Sequence, residues 1–165
     1  MSLVGSSSVD HVAFNVPDLD AAAAFLYEVF GAVEIHRGAR SGPPELMAAA
    51  FGVGRGRSFR VAMLRLSPNL KVELFEWNGP AGVRLPGAAE TGGHHLCFSV
   101  DDVDAAHAEL ARHPGIRLLG DVNEVLPPSP LAGTRWAYFE APWGLRMELV
   151  GRAPTRTVTN YPEQL

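Results

Sequence analysis

The chain has 165 residues, 47% of them hydrophobic, enough for one compact domain with a real core. Its formal net charge is −4 and no basic run occurs, which argues against nucleic acid as a partner. No apolar stretch can span a bilayer, "MSLVGSSSVD" is not a signal peptide, and the single Cys97 excludes an internal disulfide framework and fits a reducing cytoplasm.

Residues 1–8 read as a flexible leader. The alternating run 10–16 predicts a strand, and Pro17-Asp18 supplies N-cap chemistry for a helix over 19–30 that stops at Gly31. An extended segment follows at 33–37, then the linker "RGARSGPPELMAAAFGVGRGR" with a short helix near 44–51. The GxGxG of that linker has no strand feeding it and no Lys-Ser/Thr after it, so it reads as a connector and not a phosphate loop. Strands at 59–66 and 70–77 meet at the turn "SPN" (67–69). A second series then begins: strand 95–100, cap Asp101-Asp102, helix 103–112, a turn at Gly115 and an extended segment 116–119. The proline-rich stretch 120–135 is long enough to act as a lid. Strands 134–140 and 145–150 flank the turn "PWG" (142–144), and a polar tail occupies 152–165.

The two series are copies. "HVAFNVPDLDAAAAFL" (11–26) aligns without gaps on "HLCFSVDDVDAAHAEL" (95–110) at an offset of 84, pairing His11 with His95, Phe14 with Phe98 and Asp18 with Asp102. "RVAMLRLSPNLKVEL" (60–74) aligns on "RWAYFEAPWGLRMEL" (135–149) at an offset of 75, pairing Glu73 with Glu148. The nine-residue difference falls in the linker, longer in the first copy. The expected fold is α+β: two βαβββ modules, 9–80 and 92–151, within one domain over 9–151, pairing into a curved mixed sheet around a cavity.

Strand periodicity sorts the chemistry. His11, Ala13 and Asn15 share one face, and His95, Cys97 and Ser99 share its counterpart, while the bulkier apolar set faces the helices. Glu73 and Glu148 each sit in a strand otherwise built for burial, where a lone carboxylate is costly unless paired, protonated or metal-bound. Two imidazoles and two carboxylates at repeat-related positions predict one divalent ion held by His11, Glu73, His95 and Glu148. His94 matches Asp10, lies on the other face and reads as a strand-end residue, and His36, His107 and His113 read as solvated. The aromatics Phe75, Trp77, Trp136 and Tyr138, with Asn15 and Cys97, are expected to line a substrate site, although strand aromatics are more often sheet core.

These stretches together resemble the vicinal oxygen chelate superfamily, which includes glyoxalase I, methylmalonyl-CoA epimerase, extradiol dioxygenases, and fosfomycin and bleomycin resistance proteins. "DHVAFNVPDLDAAAAFLYEVFGA" is similar to the family's first strand and helix, "GGHHLCFSVDD" and "APWGLRMELV" to its fifth and eighth strands, and "KVELFEW" to a glutamate-bearing segment of glyoxalase I. "APWG" replaces the Asp-Pro-Asp-Gly of many members, a change in a turn and not in a ligand. The resemblance implies a glyoxalase-like fold and the same four metal ligands, with Ni, Co, Zn, Mn or Fe as the ion. A fourth protein ligand implies proton transfer beside a metal-bound carbonyl or enediolate, of isomerase, lyase or epimerase type, on a small molecule. By analogy Glu148 is the first choice of base and Glu73 the second; the residues alone leave the order open. An iron-dependent extradiol-type dioxygenase and a metal-free sequestering protein of the bleomycin-resistance kind are the alternatives. A homodimer is expected, since the apolar sheet edge favours association.

Overall fold

The computed structural model describes residues 9–79, 87 and 89–151; the leader 1–8 and the tail 152–165 lie outside the described residues. The chain divides into two compact units, Met1–Val83 and Arg84–Leu165. Among the described residues no helix is long and apolar enough to cross a membrane.

The first unit contains β1 (Val12–Asn15), α1 (Leu19–Phe30), β2 (Val33–Ser41), α2 (Pro44–Phe51), β3 (Ser58–Ser67) and β4 (Leu70–Trp77). Its sheet has the order β1-β4-β3-β2. β1 and β4 run parallel, which demands a crossover, and the other neighbours are antiparallel. Asp18 opens α1 by accepting the Ala21 N–H, and Gly31 closes it in the left-handed region at φ 64°. The apolar stripe Leu19, Ala22, Ala23, Phe25 and Leu26 is buried, and α1 packs against β3 and β4, whose Ala62, Leu64, Val72 and Leu74 are buried too. The helix face of β4 also carries Glu76, whose carboxylate accepts the Leu19 N–H at 2.9 Å and so serves the helix start as well.

The second unit repeats the plan with β5 (Leu96–Ser99), α3 (Val103–Leu110), β6 (Arg117–Leu118), β7 (Asn123–Glu124), β8 (Arg135–Glu140) and β9 (Arg146–Gly151). The order is β5-β9-β8-β6, with β7 pairing β8 outside that path. Asp102 caps α3 as Asp18 caps α1. Val103 and Leu110 of α3 are buried, as are Ala137, Phe139, Met147 and Leu149 of the strands it packs on. At Gly151 the approach leaves no room for a side chain: a Cβ there would lie 2.6 Å from Val103 Cγ2. The fold is α+β with two mixed sheets; against the expected βαβββ pattern the first unit inserts α2 before β3 and the second adds the two-residue strand β7.

Some boundaries differ from expectation. α3 ends at Leu110 and not at 112, because the next N–H groups turn to 3₁₀-type bonds (Arg112 to Glu109, His113 to Leu110) ahead of Pro114, which disfavours helix before it. β2 runs on to Ser41 because β3 offers a partner as far as Ser58. The stretch read as a lid is tied to β8: β7 pairs with it, Val125 donates to Thr134 O, and Gly133 donates to Val125 O.

Candidate functional site

The register of each sheet brings a histidine to a glutamate. In the first unit Ala13 lies opposite Glu73, and in the second Cys97 lies opposite Glu148, the same register one repeat apart. His11 and His95 immediately precede their strands, two residues from those positions, and so lie on the same face. His11 Nε2 is 3.4 Å from Glu73 Oε2, and His95 Nε2 is 3.0 Å from Glu148 Oε2. The alternation read from sequence holds: His11, Ala13 and Asn15 are exposed on one side of β1, and Val12, Phe14 and Val16 are buried or half-buried on the other.

Both glutamates are largely covered, with 23% of the Glu73 side chain and 16% of the Glu148 side chain exposed. Among the described residues neither forms an ion pair with a Lys or Arg; the nitrogen beside each is the Nε2 of its histidine. A half-buried carboxylate in that position wants positive charge. The nitrogen–oxygen separations are also those of two donors each about 2.1 Å from a shared ion, and an imidazole with a carboxylate suits Ni, Co, Zn, Mn or Fe. The donor set therefore fits a divalent metal. Among the described residues no three His, Cys, Asp or Glu side chains form a group that could hold a metal ion; each unit brings together two of the four expected ligands.

Glu148 has further neighbours. Burial, the Glu148 charge and a hydrogen bond to that carboxylate push the Cys97 thiol up to about 12. Burial first, then Glu148, raises the Tyr138 phenol. Both groups are therefore held in their protonated forms beside Glu148. The Tyr138 ring also stands edge-on to His95 at 5.4 Å and to Trp136 at 5.4 Å.

The first unit is built differently around its pair. Phe75 and Trp77 follow Glu73 on the same strand face, but they join Phe51 and Phe59 in an aromatic cluster that also takes in Met47 of α2. Phe75 and Trp77, expected at a substrate site, are thus engaged with α2. Trp77 Nε1–H donates to Asn15 Oδ1 at 2.8 Å, which fixes the amide of Asn15 and leaves its NH₂ as the outward group. A cavity of about 360 Å³ in this unit lies elsewhere, among Arg40, Ser58, Arg60, Glu76 and Asn78, and none of the expected site residues lines it.

Two residues that sequence reasoning passed over act on His11, Asp10 directly and Lys71 through Asp10. Asp10 Oδ1 accepts from His11 Nδ1 at 2.9 Å, and Lys71 Nζ donates to Asp10 Oδ2 at 2.7 Å. Those hydrogen bonds, that of His11 first, hold the Asp10 carboxyl below its ordinary range. The available signal was an acid directly before the histidine and the chain's one lysine two residues before Glu73 on the same strand. His94, at the matching place in the second unit, instead bonds the Gly92 carbonyl through Nδ1 at 3.0 Å. His107 is not merely solvated: it is half-buried and its Nε2 lies 3.1 Å from the Gly120 carbonyl, tying α3 to the following loop.

Comparison with known proteins agrees with this architecture. The chain is 44% identical over 147 residues to a 2-epi-5-epi-valiolone epimerase from Actinomyces sp., covering 88% of this chain and 80% of that one. It is 38% identical over 116 residues to an ethylmalonyl-CoA/methylmalonyl-CoA epimerase from Cereibacter sphaeroides, covering 68% and 74%. In fold it is similar to a glyoxalase family protein from Bacillus cereus, with a TM-score of 0.72 at 23% identity over 92% of this chain and 99% of that one. Residues 10–126, which hold the first His–Glu pair and His95, match the family profile, so the chain belongs to the Glyoxalase/Bleomycin resistance protein/Dioxygenase superfamily.

Proposed function

We propose that the chain is a divalent-metal-dependent epimerase that moves a proton at a carbon next to a carbonyl of a small molecule. The observation that carries this reading is the pair of repeat-related His–Glu sets, 3.4 and 3.0 Å apart, in a chain whose relatives are named epimerases. His11, Glu73, His95 and Glu148 would hold the ion, which when bound polarises the carbonyl and acidifies the adjacent C–H. Glu148 takes the proton. Its carboxylate lies beside the protonated Tyr138 and Cys97 and is the less exposed of the two glutamates. Glu73 is the counterpart that lends a proton to the opposite face, so that one C–H bond breaks and one forms. Asn15, Cys97, Trp136 and Tyr138 bind the substrate in this reading. A homodimer and a cytoplasmic location complete it, supported by the exposed apolar Val33 and Ile35 on edge strand β2 and by a single cysteine kept as thiol.

The test follows hydrogen exchange in D₂O by NMR, with 2-epi-5-epi-valiolone, the compound in the name of the 44% identical relative, and with methylmalonyl-CoA. Deuterium should enter at the carbon beside the carbonyl with inversion, and a chelator should stop it. Absence of exchange on both compounds with Ni, Co, Zn, Mn and Fe(II) refutes the assignment.

A further inference from the structure

The environments of the two histidines differ although their backbones match. His11 has a partner at each ring nitrogen: Asp10 Oδ1 at 2.9 Å from Nδ1 and Glu73 Oε2 at 3.4 Å from Nε2. A carboxylate can only accept, so the 2.9 Å contact places a proton on Nδ1, and in the neutral ring this leaves the Nε2 lone pair on the side of Glu73. Asp10 is itself held, because Lys71 Nζ grips its other oxygen at 2.7 Å. Lys71 lies on β4 beside the partner of Val12, on the same strand face as Glu73, so the sheet register delivers this anchor. Among the described residues the second copy shows no carboxylate–lysine pair at the matching positions. The residue matching Asp10 is His94, bonded to Gly92 O, and the residue matching Lys71 is Arg146, 3.8 Å from Glu140. Among the described residues no carboxylate lies at the other nitrogen of His95.

We infer that Asp10, anchored by Lys71, is a positioning residue that fixes the tautomer and angle of His11 and presents its Nε2 as a ligand, a device the His95 half does without. The inference rests on the reading of His11 as a metal ligand. Outer carboxylates of this kind typically change metal affinity about 10- to 100-fold, and Asp10 exposes 71% of its side chain, so screening by solvent places the loss near the lower end.

The experiment uses the full chain with ¹⁵N-labelled histidine. In metal-free protein, with the His11 signals identified by His11→Asn, long-range ¹H–¹⁵N spectra report which ring nitrogen carries the proton. The wild type should show His11 protonated at Nδ1, Asp10→Ala should move the proton to Nε2, and His94→Ala should leave it in place. Co²⁺ titration should show Asp10→Ala binding about 10-fold more weakly and His94→Ala unchanged. An unaltered His11 tautomer in Asp10→Ala overturns the inference. A shifted tautomer with unchanged Co²⁺ affinity overturns His11 as a ligand instead, while Asp10 stands as the group that sets the ring.

Discussion

Alkylation of Cys97 by iodoacetamide reads the electrostatics around Glu148 directly, because the chain has one cysteine and every event reports that site. The thiolate is the reacting form. Burial and Glu148 carry the thiol from an ordinary value of 9.0 to about 12. At pH 8 in a chelator, that difference lowers the thiolate population, and with it the rate, about 1,000-fold relative to the same chain in urea. Burial is the largest single cause, followed by the Glu148 charge and then its hydrogen bond. Glu148→Gln should therefore restore at most about two thirds of the effect on a logarithmic scale, up to about 100-fold. The same shift has a consequence for stability. The folded state holds this proton more tightly than the unfolded state, so its contribution is complete below pH 9.0 and is lost as pH rises toward about 12. Tyr138, also raised, acts in the same direction at alkaline pH. A native rate within tenfold of the rate in urea, or a rate insensitive to Glu148→Gln, refutes this account of the site.

Other substitutions follow from the geometry. His95→Ala should remove most bound metal, measured by elemental analysis beside circular dichroism, while His94→Ala should stay near wild type; equal loss in both would contradict the face assignment. Glu148→Gln should keep the fold and part of the metal but abolish deuterium exchange into substrate, since an amide coordinates but does not act as a base. Gly151→Ala forces a methyl to 2.6 Å from Val103 Cγ2 and 3.2 Å from the Val100 carbonyl, and should lower stability by about 1–3 kcal/mol in urea unfolding.

The features legible from sequence were those enforced by repetition. Two ungapped blocks fixed which residues are equivalent, and the period of two then put His11 with Glu73 and His95 with Glu148 on matching faces. Alternation misleads at the strand entrance, where Asp10 and His11 precede β1: two neighbours that a strand would send to opposite faces meet there in one hydrogen bond. The coverage of Phe75 and Trp77 by α2 was equally hidden. Periodicity gives a residue's face, but not which distant segment comes to lie on it. Pro114 could have shortened the expected third helix, had its effect on His113 been weighed above the apolar spacing.

The matching registers of the two copies bear on how such a protein can change over generations. Ala13 with Glu73 and Cys97 with Glu148 are set by backbone pairing, and the whole nine-residue length difference between the copies falls in a connection between strands, where α2 grows in the first. Insertions there redraw the apolar wall made by Phe51 and Met47 without moving the strands that carry histidine and glutamate. One frame can thus be refitted by editing a single connection, with its two His–Glu pairs inherited intact.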